Sequence, residues 1–167
     1  MDMLVQSHRK FVVDCEYSGE TNQIISVAIV PLWYDHFVKP STIIPVPERE
    51  FYEVISPLPQ GMSGWVQTNV VPHLNKPGIP YQQLQEKLEA FFVQHQIEEL
   101  HYDWCDDIAY INRLMITGPG ERIQLGGRFL THTHHPNIEY KSKTAHNALE
   151  DARAVAAAIR ERIFEMA

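Results

Sequence analysis

The sequence has no long hydrophobic run. No apolar stretch reaches the roughly 18 residues that a membrane-spanning helix requires, and the N-terminal MDMLVQSHRK lacks the apolar centre of a signal peptide. We therefore expect a chain that neither crosses a membrane nor is exported and that lies in the cytoplasm, with a nucleus as the alternative. Internal repeats and low-complexity tracts are also absent from the sequence, which excludes a repeat architecture.

Cysteine is scarce. Cys15 and Cys105 are the two cysteines of the chain, and they do not form the C-x-x-C pair that is typical of zinc sites. Cys15 lies within an apolar run, where cysteine usually behaves as a small buried hydrophobic residue. The sequence therefore predicts neither a structural zinc ion nor a disulfide.

Basic residues are too few for a module that binds nucleic acid by charge alone. The formal net charge is −7, whereas phosphate contacts normally come from clustered lysine and arginine. The position of the acids matters more than their total, because a site that holds two divalent cations would offset four of the negative charges. This balance favours a metal-dependent nuclease over an electrostatic binding module.

The hydrophobic pattern predicts one α/β domain that spans residues 1–167. A chain of 167 residues with 44% hydrophobic content supports a single buried core. The predicted elements are strands at 10–17, 24–32 and 50–55, a helix from 81, a strand at 97–102, a helix at 107–115, an irregular segment at 118–143 and a helix from about 147 to 165. The short links between the first three strands predict an antiparallel start, and the element order indicates a mixed sheet flanked by helices.

Asp14 and Glu16 form the first candidate pair. They lie two residues apart on the first predicted strand, so their side chains leave the same face of the sheet, while Cys15 points to the other face. Neighbouring carboxylates raise each other's pKa unless a cation neutralises them. The pair follows the apolar residues 11–13, which favours a metal site over a solvated strand end.

The start of the last helix carries the second candidate pair. Asn147 and Glu150 have the spacing of a capping box, with Asn147 as the N-cap. This register places His146 at N′ and Asp151 at N4, two positions that contact each other at a helix start. The alanine-rich helix predicts close packing, which argues against a fully solvated Asp151. The motif therefore places a potential base beside a potential metal ligand.

Three further acids, Asp103, Asp106 and Asp107, lie where the fourth strand gives way to a helix. We choose Asp107 as the ligand, because an acid at the helix start that is followed by Ile108 and Ile111 can face the sheet while the apolar residues pack. Asp103 and Asp106 remain alternatives. Asp106 or Asp107 could also serve only as a helix N-cap.

These motifs resemble the DEDDh family of 3′-5′ exonucleases, the RNase H-like group that includes RNase T, oligoribonuclease and proofreading subunits. Asp14-Cys15-Glu16 matches the first motif of the family, and His146 with Ala148, Asp151 and Ala152 matches the third. Asp107, with the apolar pair three and four residues later, fits the middle motif, although the H-N-x-x-F or G-N-S stretch that usually precedes it is absent. The resemblance covers the whole chain in order and is greatest for compact RNase T-like exoribonucleases.

The resemblance implies an RNase H-like mixed sheet and a two-metal hydrolase. Asp14, Glu16, Asp107 and Asp151 would bind two Mg²⁺ or Mn²⁺ ions, and His146 would act as the general base. The expected reaction releases nucleoside 5′-monophosphates from the 3′ end of a single strand, with RNA favoured over DNA, and a homodimer is expected.

Two alternatives stay open, a DNA exonuclease of the same family and a catalytically silent binding module. An RNase H-like endonuclease or transferase is disfavoured, because His146 stands five residues before Asp151 as in the exonucleases.

Several further residues are candidates for substrate contacts. The segment at 118–143 has a local excess of basic residues that would bind the phosphate backbone, and two aromatic residues would stack on terminal bases. The candidates are Arg122, Arg128, Lys141 and Lys143 for the backbone and Tyr17 and Trp65 for the bases. The histidine-rich residues 131–135 read as a loop or edge segment with solvated imidazoles rather than as a metal site.

Overall fold

The computed structural model describes residues 8–33, 41–43, 45–125 and 127–166. Within these ranges the strands and α-helices are β1 (Lys10–Tyr17), β2 (Ile24–Pro31), β3 (Phe51–Val54), α1 (Gly64–Asn69), α2 (Tyr81–His95), β4 (Glu99–Tyr102), α3 (Cys105–Leu114), β5 (Ile116–Gly118), β6 (Glu121–Arg122), β7 (Thr131–His134) and α4 (Ala148–Glu165). Short 3₁₀ helices form at Pro47–Arg49 and Val71–His73. None of the helices in these ranges is long and apolar enough to cross a membrane.

A mixed five-stranded sheet in the order β3-β2-β1-β4-β7 forms the centre of the fold. β1, β2 and β3 pair antiparallel, whereas β4 runs parallel to β1 and β7 runs parallel to β4. The predicted α/β class, the antiparallel start and the mixed sheet are therefore confirmed. The strand order is consistent with an RNase H-like topology.

Helices cover both faces of the sheet, which explains the continuous apolar pattern of β1 and β2. Phe11, Val13 and Cys15 on one face of β1 belong to a core that also contains the apolar residues of α2 and α3. Val12 on the other face packs in a second core with the small residues of α4. Alternation along β1 therefore directs Asp14 and Glu16 to the side of the sheet that α4 covers.

The segment predicted as irregular at 118–143 contains regular structure, so this prediction is wrong in part. Glu121–Arg122 pairs with β5 in a small hairpin, and Thr131–His134 forms the edge strand β7. β7 is largely exposed, so its sequence lacks the alternation of apolar and polar residues that predicts a strand. Its pairing with β4 defines it, which agrees with the interpretation of residues 131–135 as an edge segment.

Helix boundaries also differ from the prediction at two places. Helix α1 was not predicted; its N-cap is Ser63, whose side chain accepts a hydrogen bond from the Val66 N–H, and a serine cap is the local signal for it. Helix α3 begins at Cys105 rather than at Asp107. The acid chosen for the site therefore lies within the first turn of the helix instead of at its first residue.

Candidate active site

Five carboxylates and one imidazole from three parts of the chain line one open cleft at the end of β1. The cleft has a volume of about 510 Å³. The six residues are Asp14, Glu16, Asp103, Asp107, His146 and Asp151. The structure thus brings together all five residues that the sequence assigned to catalysis, and it adds Asp103, which the sequence left as an alternative.

Asp107 reaches the cleft because β1 is longer than its neighbour. β1 pairs with β4 only as far as Val12, so the backbone beyond it is open on that side. The first turn of α3 lies there, and the Cys15 N–H donates a hydrogen bond of 3.1 Å to Asp107 Oδ1. This bond holds the Asp107 carboxylate beside the two acids of β1.

The start of α4 positions the second half of the site. Asn147 is the N-cap, as predicted, and its side chain accepts a hydrogen bond of 3.2 Å from the Glu150 N–H. The His146 N–H donates a bond of 2.8 Å to Asp151 Oδ2. His146 has a φ of 64°, a left-handed conformation that is uncommon for residues other than glycine. The Asp151 bond helps to hold this conformation and so joins the imidazole-bearing residue to the carboxylate.

The five carboxylates and the imidazole fall into two groups of three. Glu16, His146 and Asp151 offer ligand atoms that all lie within 4.8 Å of one another, and so do Asp14, Asp103 and Asp107. Asp106, the other acid that the sequence left open, is exposed and does not line the cleft. The arrangement gives each group at least two carboxylates.

Burial and mutual repulsion raise the pKa values of these acids. Burial, followed by Asp151, raises the pKa of Glu16 to about 8, and burial, followed by Asp103, raises that of Asp107 to about 8. Burial first and the neighbouring acids next raise the pKa of Asp14 well above its usual value. Burial likewise raises the pKa of Asp151. No lysine or arginine among the described residues lines the cleft to offset this charge.

Two buried carboxylate oxygens of the cleft are not satisfied by hydrogen bonds within the described residues. Asp107 Oδ2 and Asp103 Oδ1 are buried, and neither has a hydrogen-bond partner in the described part of the chain. Buried polar atoms are normally satisfied, and carboxylate oxygens are the ligands that hard cations such as Mg²⁺ and Mn²⁺ prefer. The residues present therefore fit a divalent metal site.

These pKa shifts predict how the stability of the metal-free protein depends on pH. Each acid binds its proton more tightly in the folded than in the unfolded state, so the free energy of unfolding should fall as the pH rises from about 4 to 8. Added Mn²⁺ should therefore raise the melting temperature more at pH 8 than at pH 5. Differential scanning calorimetry checks both effects.

The Asp107→Asn variant is the control for this pH dependence, because it removes one shifted carboxyl group at nearly constant volume. Its melting temperature without metal should vary less between pH 5 and pH 8 than that of the wild type. The metal-free melting temperature of the wild type should fall more steeply with pH than that of the variant. Equal slopes would contradict the raised pKa of Asp107.

The predicted substrate-binding residues divide into two sets. Tyr17 and Trp65 line the cleft; Tyr17 stacks on Tyr110 with ring centroids 4.7 Å apart, and the Trp65 ring meets His146 edge-on at 4.8 Å. The basic residues Arg122, Arg128, Lys141 and Lys143 do not line the cleft. Arg128 instead forms an ion pair with Glu98 at 3.7 Å.

Residues missed by the sequence analysis complete the cleft. Trp104, which is 58% exposed, and Tyr140 both line the cleft. Tyr140 follows β7 in a segment without periodic pattern, so nothing local indicated its position. A tryptophan next to an acid at a strand end was the available signal for Trp104.

The histidines of residues 131–135 do not line the acidic cleft. Two of them contact residues of the neighbouring strand β4. His135 Nε2 and His101 Nδ1 share a hydrogen bond of 2.8 Å, and the His134 ring stacks on Tyr102. None of the three histidines belongs to the groups that could hold a metal ion in the described ranges.

Comparisons of the chain with protein-family models, curated proteins and solved structures found no match.

Proposed function

We propose that this protein is a metal-dependent 3′-5′ exonuclease that hydrolyses single-stranded nucleic acid, RNA rather than DNA, to nucleoside 5′-monophosphates. The observation that carries the proposal is the meeting of Asp14, Glu16, Asp107, Asp151 and His146 in one open cleft. The order of these residues along the chain supports it through the resemblance to the DEDDh exonucleases. A cytoplasmic location and a homodimer belong to the same proposal and depend on the sequence alone.

The four acids would hold two divalent cations. When bound, such cations polarise a phosphodiester, favour deprotonation of a water molecule and stabilise a leaving oxygen. Asp107 would bind a cation through Oδ2, because its Oδ1 accepts the hydrogen bond from the Cys15 N–H. Asp151 would bind a cation while its Oδ2 accepts the hydrogen bond from the His146 N–H. The acids that would bind the ions are thus held by β1, α3 and α4.

His146 would accept the proton of the attacking water. In the proposed hydrolysis the water oxygen bonds to phosphorus, the bond from phosphorus to the 3′-oxygen breaks, and that oxygen takes up a proton as the terminal nucleotide leaves. The imidazole is only partly buried and can pass its proton on to solvent. The imidazole also packs edge-on against the Trp65 ring.

Exposed aromatic residues at the cleft favour a single strand as the substrate. Trp65 and Trp104 are 56% and 58% exposed, although they line the same cleft. Unpaired bases can stack on such rings, with about 1–3 kcal/mol for each base. A base pair would have to open before its bases could use them.

The direct test uses short RNA and DNA oligonucleotides of the same sequence, labelled at either the 3′ or the 5′ end. We expect Mg²⁺-dependent release of labelled mononucleotide from the 3′-labelled RNA, a shortening ladder from the 5′-labelled RNA, and slower turnover of DNA. EDTA should stop both reactions. Internal cuts would indicate an endonuclease instead, and binding without cleavage would indicate the silent module.

A further inference from the structure

Asp103 occupies a position in the cleft that the proposed set of four ligands does not explain. It lies between the end of β4 and the start of α3. Its carboxylate, with those of Asp14 and Asp107, forms a group in which the ligand atoms are all within 4.8 Å of one another. The carboxylates of Asp103 and Asp14 are therefore close enough to bind the same ion.

The surroundings of this group point independently to a cation. Asp107 is only 2% exposed, and its Oδ2 atom has no hydrogen-bond partner among the described residues. Asp103 Oδ1 is likewise buried without a partner in the described chain. An unpaired buried carboxylate oxygen is costly, and two of them in one acidic group are best explained by a ligand with positive charge.

The contacts of Asp103 also show which role it does not have. A helix N-cap accepts a hydrogen bond from the backbone of the first turn, but the residue at the N-cap of α3 is Trp104, and no side chain caps this helix. Asp103 lines the cleft together with Tyr140. It therefore lies in the cleft and does not cap the helix.

We propose that Asp103 is a fifth carboxylate ligand, which together with Asp14 and Asp107 binds a divalent cation in the absence of nucleic acid. Glu16, His146 and Asp151 surround the second cation position. The inference depends on the proposed metal-dependent function, but it adds that both positions fill before the substrate arrives.

Calorimetric titration of the full chain with Mn²⁺, without nucleic acid, tests the proposal. The wild type should bind two ions. Asp103→Asn, which keeps the shape of the side chain, should bind one ion or bind the second about tenfold or more weakly, a loss of about 1.4 kcal/mol. Asp106→Asn is the matched control, because Asp106 is exposed outside the cleft, and it should bind two ions like the wild type.

A crystal of the wild type grown with Mn²⁺ gives a second measurement that needs no variant. An anomalous peak within about 2.5 Å of an Asp103 oxygen would support the proposal. Unchanged binding of both ions by Asp103→Asn, or a peak that contacts Asp14 and Asp107 but not Asp103, would overturn it. Either result could occur in a protein that still digests RNA from its 3′ end, so the two proposals can fail separately.

Discussion

Asp14→Ala should remove nearly all turnover of a 3′-labelled RNA oligonucleotide at saturating Mg²⁺. Asp14 is 9% exposed and belongs to the group formed with Asp103 and Asp107, so its loss leaves one cation position without a central ligand. We expect the rate to fall to less than about a tenth of the wild-type value, the change that 1.4 kcal/mol in the barrier represents. Glu16→Ala should have an effect of the same order, because Glu16 belongs to the other group.

The fold of Asp14→Ala should survive, because the substitution removes a repelled carboxylate from a buried strand. Burial and the neighbouring acids raise the pKa of Asp14, so its negative charge destabilises the folded protein when no metal is bound. The melting temperature without metal should therefore equal or exceed that of the wild type near pH 8. Glu20→Ala is the control, since Glu20 is exposed in the turn after β1. A variant that kept more than about a tenth of the rate would place the site elsewhere.

Local patterns predicted the parts of the site that depend on one element. Strand alternation alone placed Asp14 and Glu16 on one face, and the spacing of Asn147 and Glu150 located the cap that sets Asp151 beside His146. Both arrangements need only a few consecutive residues. The structure accordingly has them as the sequence indicated.

The choice among Asp103, Asp106 and Asp107 could not be made in this way. It depends on where β4 ends, where α3 begins and how far β1 extends beyond β4. Only the pairing of distant residues fixes that last quantity: Val12 opposite His101 is the final pair. Both Asp103 and Asp107 line the cleft. From the sequence, only one of the three acids was expected to do so.

The basic segment shows a second limit of the sequence. The excess of basic residues in 118–143 predicted a phosphate-binding surface. The number of charges, however, does not show with which acids each basic side chain forms ion pairs. Arg128 lies beside Glu98, far away in the chain. Strand β7 is defined in the same way by its neighbour, because its exposed threonines and histidines pair with β4 without burying an apolar face of their own.

The comparison of His146→Ala with Asp151→Ala should separate a base from a ligand. Both residues lie in the group with Glu16, where all ligand atoms are within 4.8 Å, so geometry permits either role for the histidine. If His146 only accepts a proton, its replacement should lower turnover by about 10²- to 10⁴-fold and leave Mn²⁺ affinity nearly unchanged. Asp151→Ala should weaken both turnover and Mn²⁺ binding.

Single-turnover rates and Mn²⁺ titrations of the two variants decide between the roles, with Glu161→Ala as an exposed control on the same helix. The His146 N–H that bonds Asp151 belongs to the backbone, so we expect His146→Ala to retain this bond and to leave the Asp151 carboxylate in place. A loss of Mn²⁺ binding in His146→Ala could then not be attributed to a displaced Asp151. It would make the imidazole itself a ligand, and the proton of the attacking water would need another acceptor.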